Sequence, residues 1–163
     1  MVANQPDVHG HQQSENGRLN HPDEQFEQMK AQDAFLEHAG VYGKKYGTPR
    51  GWVVEQLHRG RLVILEIDVQ GAVQVKSRIP DAFAIFIMPP SEDALITRLR
   101  SRKREDEAQI QRRFAQAKLE IDEAKASGVY DRFIVNQDVQ VAIHDAVAEV
   151  AAARIRRNRP LTS

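Results

Sequence analysis

The chain of 163 residues carries 23 basic and 23 acidic side chains, 41% apolar residues and no cysteine. Balanced charge gives no global field for nucleic acid or an anionic membrane, and the absence of thiols excludes disulfides, thiolate nucleophiles and zinc–cysteine sites. The length suffices for one domain with a real core. With no apolar run near the roughly 18–20 residues of a membrane span and no apolar signal core at the start, a cytoplasmic protein is expected.

Residues 1–21, "MVANQPDVHGHQQSENGRLNH", are rich in Gln, Asn, His and Gly. This composition cannot bury enough apolar surface to offset the entropy of ordering, so it reads as a disordered polar tail. His9, His11 and His21 lack the carboxylate or cysteine framework of a metal site and read as solvated. A regular pattern begins at Pro22. "PDEQFEQMKAQ" predicts a helix with Pro22 near its first position and Phe26 and Met29 on one face. Next comes "FLEHAGVYGKKYGTPRGWVVEQL", which gathers Glu37, Tyr42, Tyr46, Thr48 and the glycines 40, 43, 47 and 51 just ahead of another helix. Thr48 is expected to cap that helix, with Pro49 in its first turn, Val53 and Leu57 as an apolar stripe, and Gly60 as the stop.

Three continuous apolar runs follow: "LVILEI" (Leu62–Ile67), "FAIFIM" (Phe83–Met88) and "RFIV" (Arg132–Val135). Each predicts a strand buried on both faces. Helical segments separate them at Val69–Arg78, at Glu92–Arg100 capped by Ser91, and at Glu107–Ala126 with Ile110, Phe114, Ala117 and Ile121 on one face. A last helix, Val139–Arg157, carries Ile143, Val147, Val150 and Ile155. Strand–helix alternation of this kind argues an α/β fold with a parallel sheet, whose ligands bind beyond the carboxyl ends of the strands.

Two features at those ends carry chemistry. Leu62–Ile67 runs straight into Asp68, an acid placed either to cap the following turn or to work near a phosphate-bound magnesium ion. The segment "RLRSRKREDEAQIQRR" holds Arg98, Arg100, Arg102, Arg104, Arg112 and Arg113, with Lys103 among them. It reads as a solvated face or as a lid whose planar guanidinium forks close over polyphosphate.

In order and spacing, "FLEHAGVYGKKYGT", "GWVVEQLHRGRLVILEIDVQGA", "FIMPPSEDALITRLRSR", "IQRR" and "FIVNQD" resemble the guanylate kinases, which move a phosphoryl group from ATP to GMP. The resemblance runs from about Phe26 to Arg157. It implies a P-loop nucleoside-monophosphate-kinase-like parallel sheet with flanking helices, spanning residues 22–163. Residues 22–60 would bind GMP, 98–113 would form the arginine-rich lid, and 61–97 with 114–163 would make the core. It further implies that Glu37, Thr48 and Asp68 select guanine and that Tyr46 contacts the GMP phosphate. Arg98, Arg102 and Arg113 would neutralise charge during transfer, and Asn136 would lie near the adenine of ATP. Gly43 and Gly47 would let the backbone turn closely around the nucleotide, and Tyr42 reads as packing. Mg²⁺ is expected with ATP, and no residue is assigned as its ligand.

The sequence also departs from the family. It holds no strand with a G-x-x-x-x-G-K-[ST] phosphate loop; "GVYGKKYG" has the wrong spacing and no hydroxyl after its lysine. Arg18 is the only basic residue where the family grips the GMP phosphate, and "RSRKRED" replaces a glycine-bearing lid. The fold is therefore expected to be incomplete at its N-terminus, with a gap between two apolar strands that a protein partner or a second copy could fill. Three readings follow: a kinase with a substitute phosphate site, a non-catalytic module that binds a nucleotide or a protein, and a truncated gene product whose ancestral activity is GMP phosphorylation.

Overall fold

The computed structural model describes residues 19–20, 23–41, 44–101 and 106–157. They fall into two compact units, residues 1–80 and 81–163. Among them, no helix is long and apolar enough to cross a membrane.

The first unit is built on a three-stranded antiparallel sheet. Strand β1 (Leu19–Asn20) is followed by helix α1 (Asp23–Ala31), strands β2 (Phe35–Val41) and β3 (Lys44–Pro49), and helices α2 (Arg50–His58) and α3 (Val69–Arg78). The strand order is β1-β3-β2, which puts β3 in the centre and β2 on an edge. Leu19 and Asn20, assigned by composition to the polar tail, instead pair with Gly47 and Tyr46. A local composition rule cannot see a sheet edge that offers unpaired N–H and C=O groups.

A register shift between Phe35 and Glu37 organises this sheet. Phe35 stands opposite Pro49 and Glu37 opposite Thr48, so one extra residue lies in β2. Opposed residues share a face and consecutive residues alternate, so the shift turns Phe35 and Glu37 to opposite sides. Phe35 joins the core, with its ring 5.0 Å from Phe26 and 6.0 Å from His38. Lys45 ties β3 to α1 by a 2.7 Å ion pair with Glu27.

Two expectations for α2 need correction. Pro49, not Thr48, is the residue at its N-cap, and no side chain caps it. Thr48 is still a strand residue there, and its hydroxyl is engaged across the sheet. Val53 is buried as expected, but its buried companion is Gln56, while Leu57 is exposed. Gly60 ends the segment at φ +73°, in the left-handed region that favours glycine.

Leu62–Ile67 is also corrected: no strand ladder holds it among the described residues. Leu62 and Ile64 are 54% and 76% exposed, while the alternate residues Val63, Leu65 and Ile67 are partly buried. The run is thus covered on one side only. An apolar sequence supplies the side chains of a buried strand, but hydrogen-bonding neighbours must come from elsewhere in the fold.

The second unit contains strand β4 (Ile85–Met88), helices α4 (Glu92–Ser101) and α5 (Glu107–Ser127), strand β5 (Arg132–Val135) and helix α6 (Val139–Arg157). β4 and β5 pair in parallel, Ile85 with Arg132 through Met88 with Val135, so the predicted parallel sheet is present as this pair. Ser91 Oγ accepts from the Ala94 amide and caps α4 as expected. α5 opens with a capping box between Asp106 and Gln109 and closes at Gly128, φ +67°. Its predicted face holds: Ile110 is buried, Phe114, Ala117 and Ile121 are partly buried, and buried Ala124 extends it. Arg100 hydrogen-bonds Glu107 and holds its carboxyl below the usual carboxylate range.

The predicted apolar stripe of α6 holds at Val150 alone. Val150 is partly buried, but Ile143, Val147 and Ile155 are exposed, whereas Ala142 is buried and Ala146, Glu149 and Ala153 are partly buried. Small side chains let this face approach β5 closely, and Glu149 meets Arg132 there at 3.0 Å.

Two outcomes are expected. A Cβ on Gly47 would lie 2.6 Å from the Phe35 ring, so Gly47→Ala should overpack the first core and lower its stability by about 1–3 kcal/mol in urea denaturation. Arg78 and then Arg50, through hydrogen bonds, hold the Asp33 carboxyl below its ordinary range. A depressed folded-state value means that the stabilisation is complete above the unfolded value of about 4 and is lost as pH falls through the lower folded value. Asp33→Asn should therefore remove part of the acid sensitivity below about pH 4 in pH-dependent denaturation.

Candidate functional site

The bulge that sends Phe35 into the core sends Glu37 to the other face, directly opposite Thr48. The Thr48 hydroxyl donates to Glu37 Oε1 at 2.6 Å, and both residues are wholly buried. A carboxyl group shut off from water requires such partners, because an unsatisfied buried acceptor costs about 1–3 kcal/mol and a charged one more. Tyr46, two residues before Thr48 on the central strand, shares that face and stands opposite Ala39.

Helix α3 supplies the floor. Asp68 caps it, with Oδ1 accepting from the Gly71 amide at 2.7 Å. A Cβ built on Gly71 would lie 3.2 Å from Glu37 Oε2 and 3.3 Å from Asp68 Oδ1. With Ile67 Cβ also at 3.1 Å, a side chain here would be tighter than ordinary van der Waals contact, and the carboxylates would have to give by a few tenths of an ångström. Glu37, Thr48 and Asp68 are thus brought to one place, as three of the four residues assigned to GMP, with Tyr46 on the same sheet face. The capping role foreseen for Asp68 is the one its Oδ1 performs here.

In the second unit, Arg98 donates to the Asn136 carbonyl at 2.7 Å and to the Gln137 carbonyl at 3.3 Å. The Asn136 amide in turn donates to the Met88 carbonyl at 2.8 Å. Arg98, assigned to neutralise the transferred charge, and Asn136, assigned to the adenine, therefore meet at the carboxyl ends of β4 and β5, where an open parallel sheet places its ligands. Arg113 lies partly buried on α5. Arg102, Tyr42, Gly43 and the three tail histidines lie outside the described residues.

Sequence reading passed over Gly71, Gln74 and Arg78. A glycine in the first turn of a helix, where alanine would be about 1 kcal/mol better, was the available signal for Gly71. Gln74 and Arg78 bond mainly to backbone groups of β2, which leave no mark in sequence.

The guanylate kinase family model matches residues 12–153. The chain is 45% identical over 138 residues to a guanylate kinase of Neisseria gonorrhoeae, covering 85% of this chain and 66% of that protein. It is 47% identical over 131 residues to one from Chromobacterium violaceum, with 80% and 61% covered. The crystal structure of guanylate kinase from Anaplasma phagocytophilum superposes with a TM-score of 0.62 at 29% identity, covering 85% of this chain and 64% of that one. The chain spans just under two thirds of the length of these relatives, at 61–66%. With the family model covering most of its residues and the sheet and helices of a P-loop-kinase-like α/β fold, the chain belongs to the guanylate kinase family.

Proposed function

We propose that the first unit is a guanine-reading site and that the chain binds GMP as the acceptor for a phosphoryl group from ATP. The observation that carries this reading is the buried Glu37–Thr48 pair lying over Gly71 and Asp68. Guanine offers a ring N–H and an adjacent exocyclic amino group on one edge. Carboxylate oxygens accept from both. Adenine presents an unprotonated ring nitrogen there and would leave acceptor facing acceptor, a mismatch that polar sites punish steeply. Glu37 and Thr48 are closed off from water, so access for the base requires this unit to open.

The remaining roles follow the family. Tyr46 contacts the acceptor phosphate through its hydroxyl, Arg98, Arg102 and Arg113 neutralise the moving charge, and Asn136 lies by the adenine ring. Mg²⁺ would come with ATP and would supply neutralising charge to its phosphates. No residue of this chain is assigned to it. The 163 residues include no phosphate loop, so GMP binding is expected of them and turnover is expected to be weak. That same observation favours a second reading, a cytoplasmic module that binds GMP or a protein partner without catalysis.

Titration calorimetry with GMP and AMP tests the site. GMP should bind at least ~100-fold more tightly, and Glu37→Gln should weaken GMP by ~10–100-fold with little effect on AMP. Equal affinities would overturn the reading and leave a protein-binding module. Formation of GDP from Mg·ATP and GMP, with Arg113→Ala as control, separates the two readings. Turnover that disappears in the variant establishes kinase activity of this chain, and guanine-selective binding without turnover establishes the module.

A further inference from the structure

β2 carries the guanine-reading carboxylate, yet it is an edge strand, and an edge strand presents unpaired backbone groups that slide or fray. Helix α3 closes that edge with side chains. The His38 amide donates to Gln74 Oε1 at 3.1 Å, and Gln74 Nε2 donates to the His38 carbonyl at 3.0 Å. Four residues on, Arg78 donates to the Leu36 carbonyl at 3.1 Å. Its other nitrogen is held by Asp33 Oδ1 at 2.7 Å.

The geometry has a simple basis. A carboxamide is chemically a peptide group, with one acceptor and one donor side by side, so Gln74 stands in for a neighbouring strand. Four residues of helix rise about 6 Å, and two residues of strand span about 6.6 Å. Gln74 and Arg78, at i and i+4 on one helix face, therefore match Leu36 and His38, whose backbone groups both point off the sheet. Between those two fixed points sits Glu37.

We propose that Gln74 is a positioning residue for guanine recognition and that Arg78 is its second anchor. By gripping the backbone on either side of Glu37, they hold its carboxylate at the register where it meets Thr48 and faces the base. This rests on the reading of Glu37 as the guanine acceptor. A strand free to shift would keep the carboxylate but lose its aim. The exocyclic amino group, the second donor on that edge, would then count for less.

IMP lacks that amino group, so the ratio of GMP to IMP affinity measures the aim of Glu37. Titration calorimetry on the full chain should give a clear preference for GMP. In Gln74→Met, which keeps length and volume but bonds nothing, the preference should fall by about tenfold, toward parity, with IMP affinity little changed. Gln74→Glu keeps an acceptor for the His38 amide and loses the donor to its carbonyl, and it should show a smaller loss of the same kind. It also provides the reading if Gln74→Met does not fold by circular dichroism. A preference unchanged in a folded variant overturns the role of Gln74 while leaving the site reading intact. A wild-type chain with no preference for GMP over AMP overturns the site reading and this role with it. An equal loss of GMP and IMP affinity marks Gln74 as structural only and also overturns the proposal.

Discussion

Glu37 constrains the first unit more than any other residue. A carboxyl group with no exposure to water is costly, and it is tolerable only where donors have been arranged around it. The 2.6 Å bond from Thr48 fixes the pairing of β2 with β3 at that point. The extra residue in β2 separates the apolar face, with Phe35 over Gly47, from the polar face. α3 must then come close enough for Gly71 to lie under the carboxylate, where a larger residue would be in tight contact with it. Pairing, bulge and helix placement are all satisfied by one arrangement.

The two units differ in how their apolar surface is used. In the first, Phe26, Phe35, Leu36, Val53, Val69 and Val75 are buried around the sheet and its helices. In the second, Ile134 is buried, but Ile87, Phe133 and Val135 on the parallel pair and Ile143, Val147 and Ile155 on α6 are exposed. Parallel strands of this composition belong to sheets covered on both faces. Leu62 and Ile64, in the run that has no ladder, show the same excess of apolar surface in the first unit. The sequence at these positions is written for more cover than the described residues supply.

Much of the architecture was legible because it is local. Capping at Ser91, the left-handed stop at Gly60 and the 3–4 spacing from Ile110 to Ile121 all concern residues within a turn or two of one another. α3 and α6 accordingly begin and end at the predicted residues. The antiparallel strands β2 and β3 were not foreseen as strands, because a segment with glycines at 40, 43 and 47 breaks the apolar alternation on which a strand prediction relies. Thr48 was misassigned for a related reason. As a local signal, threonine before proline and a helix is a cap, and only the partner strand shows that its hydroxyl is taken by Glu37.

The sequence by itself determined the family, the α/β class, the helices, the parallel pair and the set of polar residues from which a guanine site could be made. Each of these depends on residue type and short-range spacing, which the chain carries in every conformation. Only the tertiary structure decided which of those residues meet. It put Glu37 on Thr48, set Gly71 beneath them, bound Arg98 to the Asn136 carbonyl and closed the β2 edge with Gln74 and Arg78. It also denied Leu62–Ile67 a ladder and turned the alanine face of α6 inward. These outcomes depend on hydrogen-bond partners and close approaches between residues far apart in the chain, and the geometry that satisfies them exists only once the elements have packed.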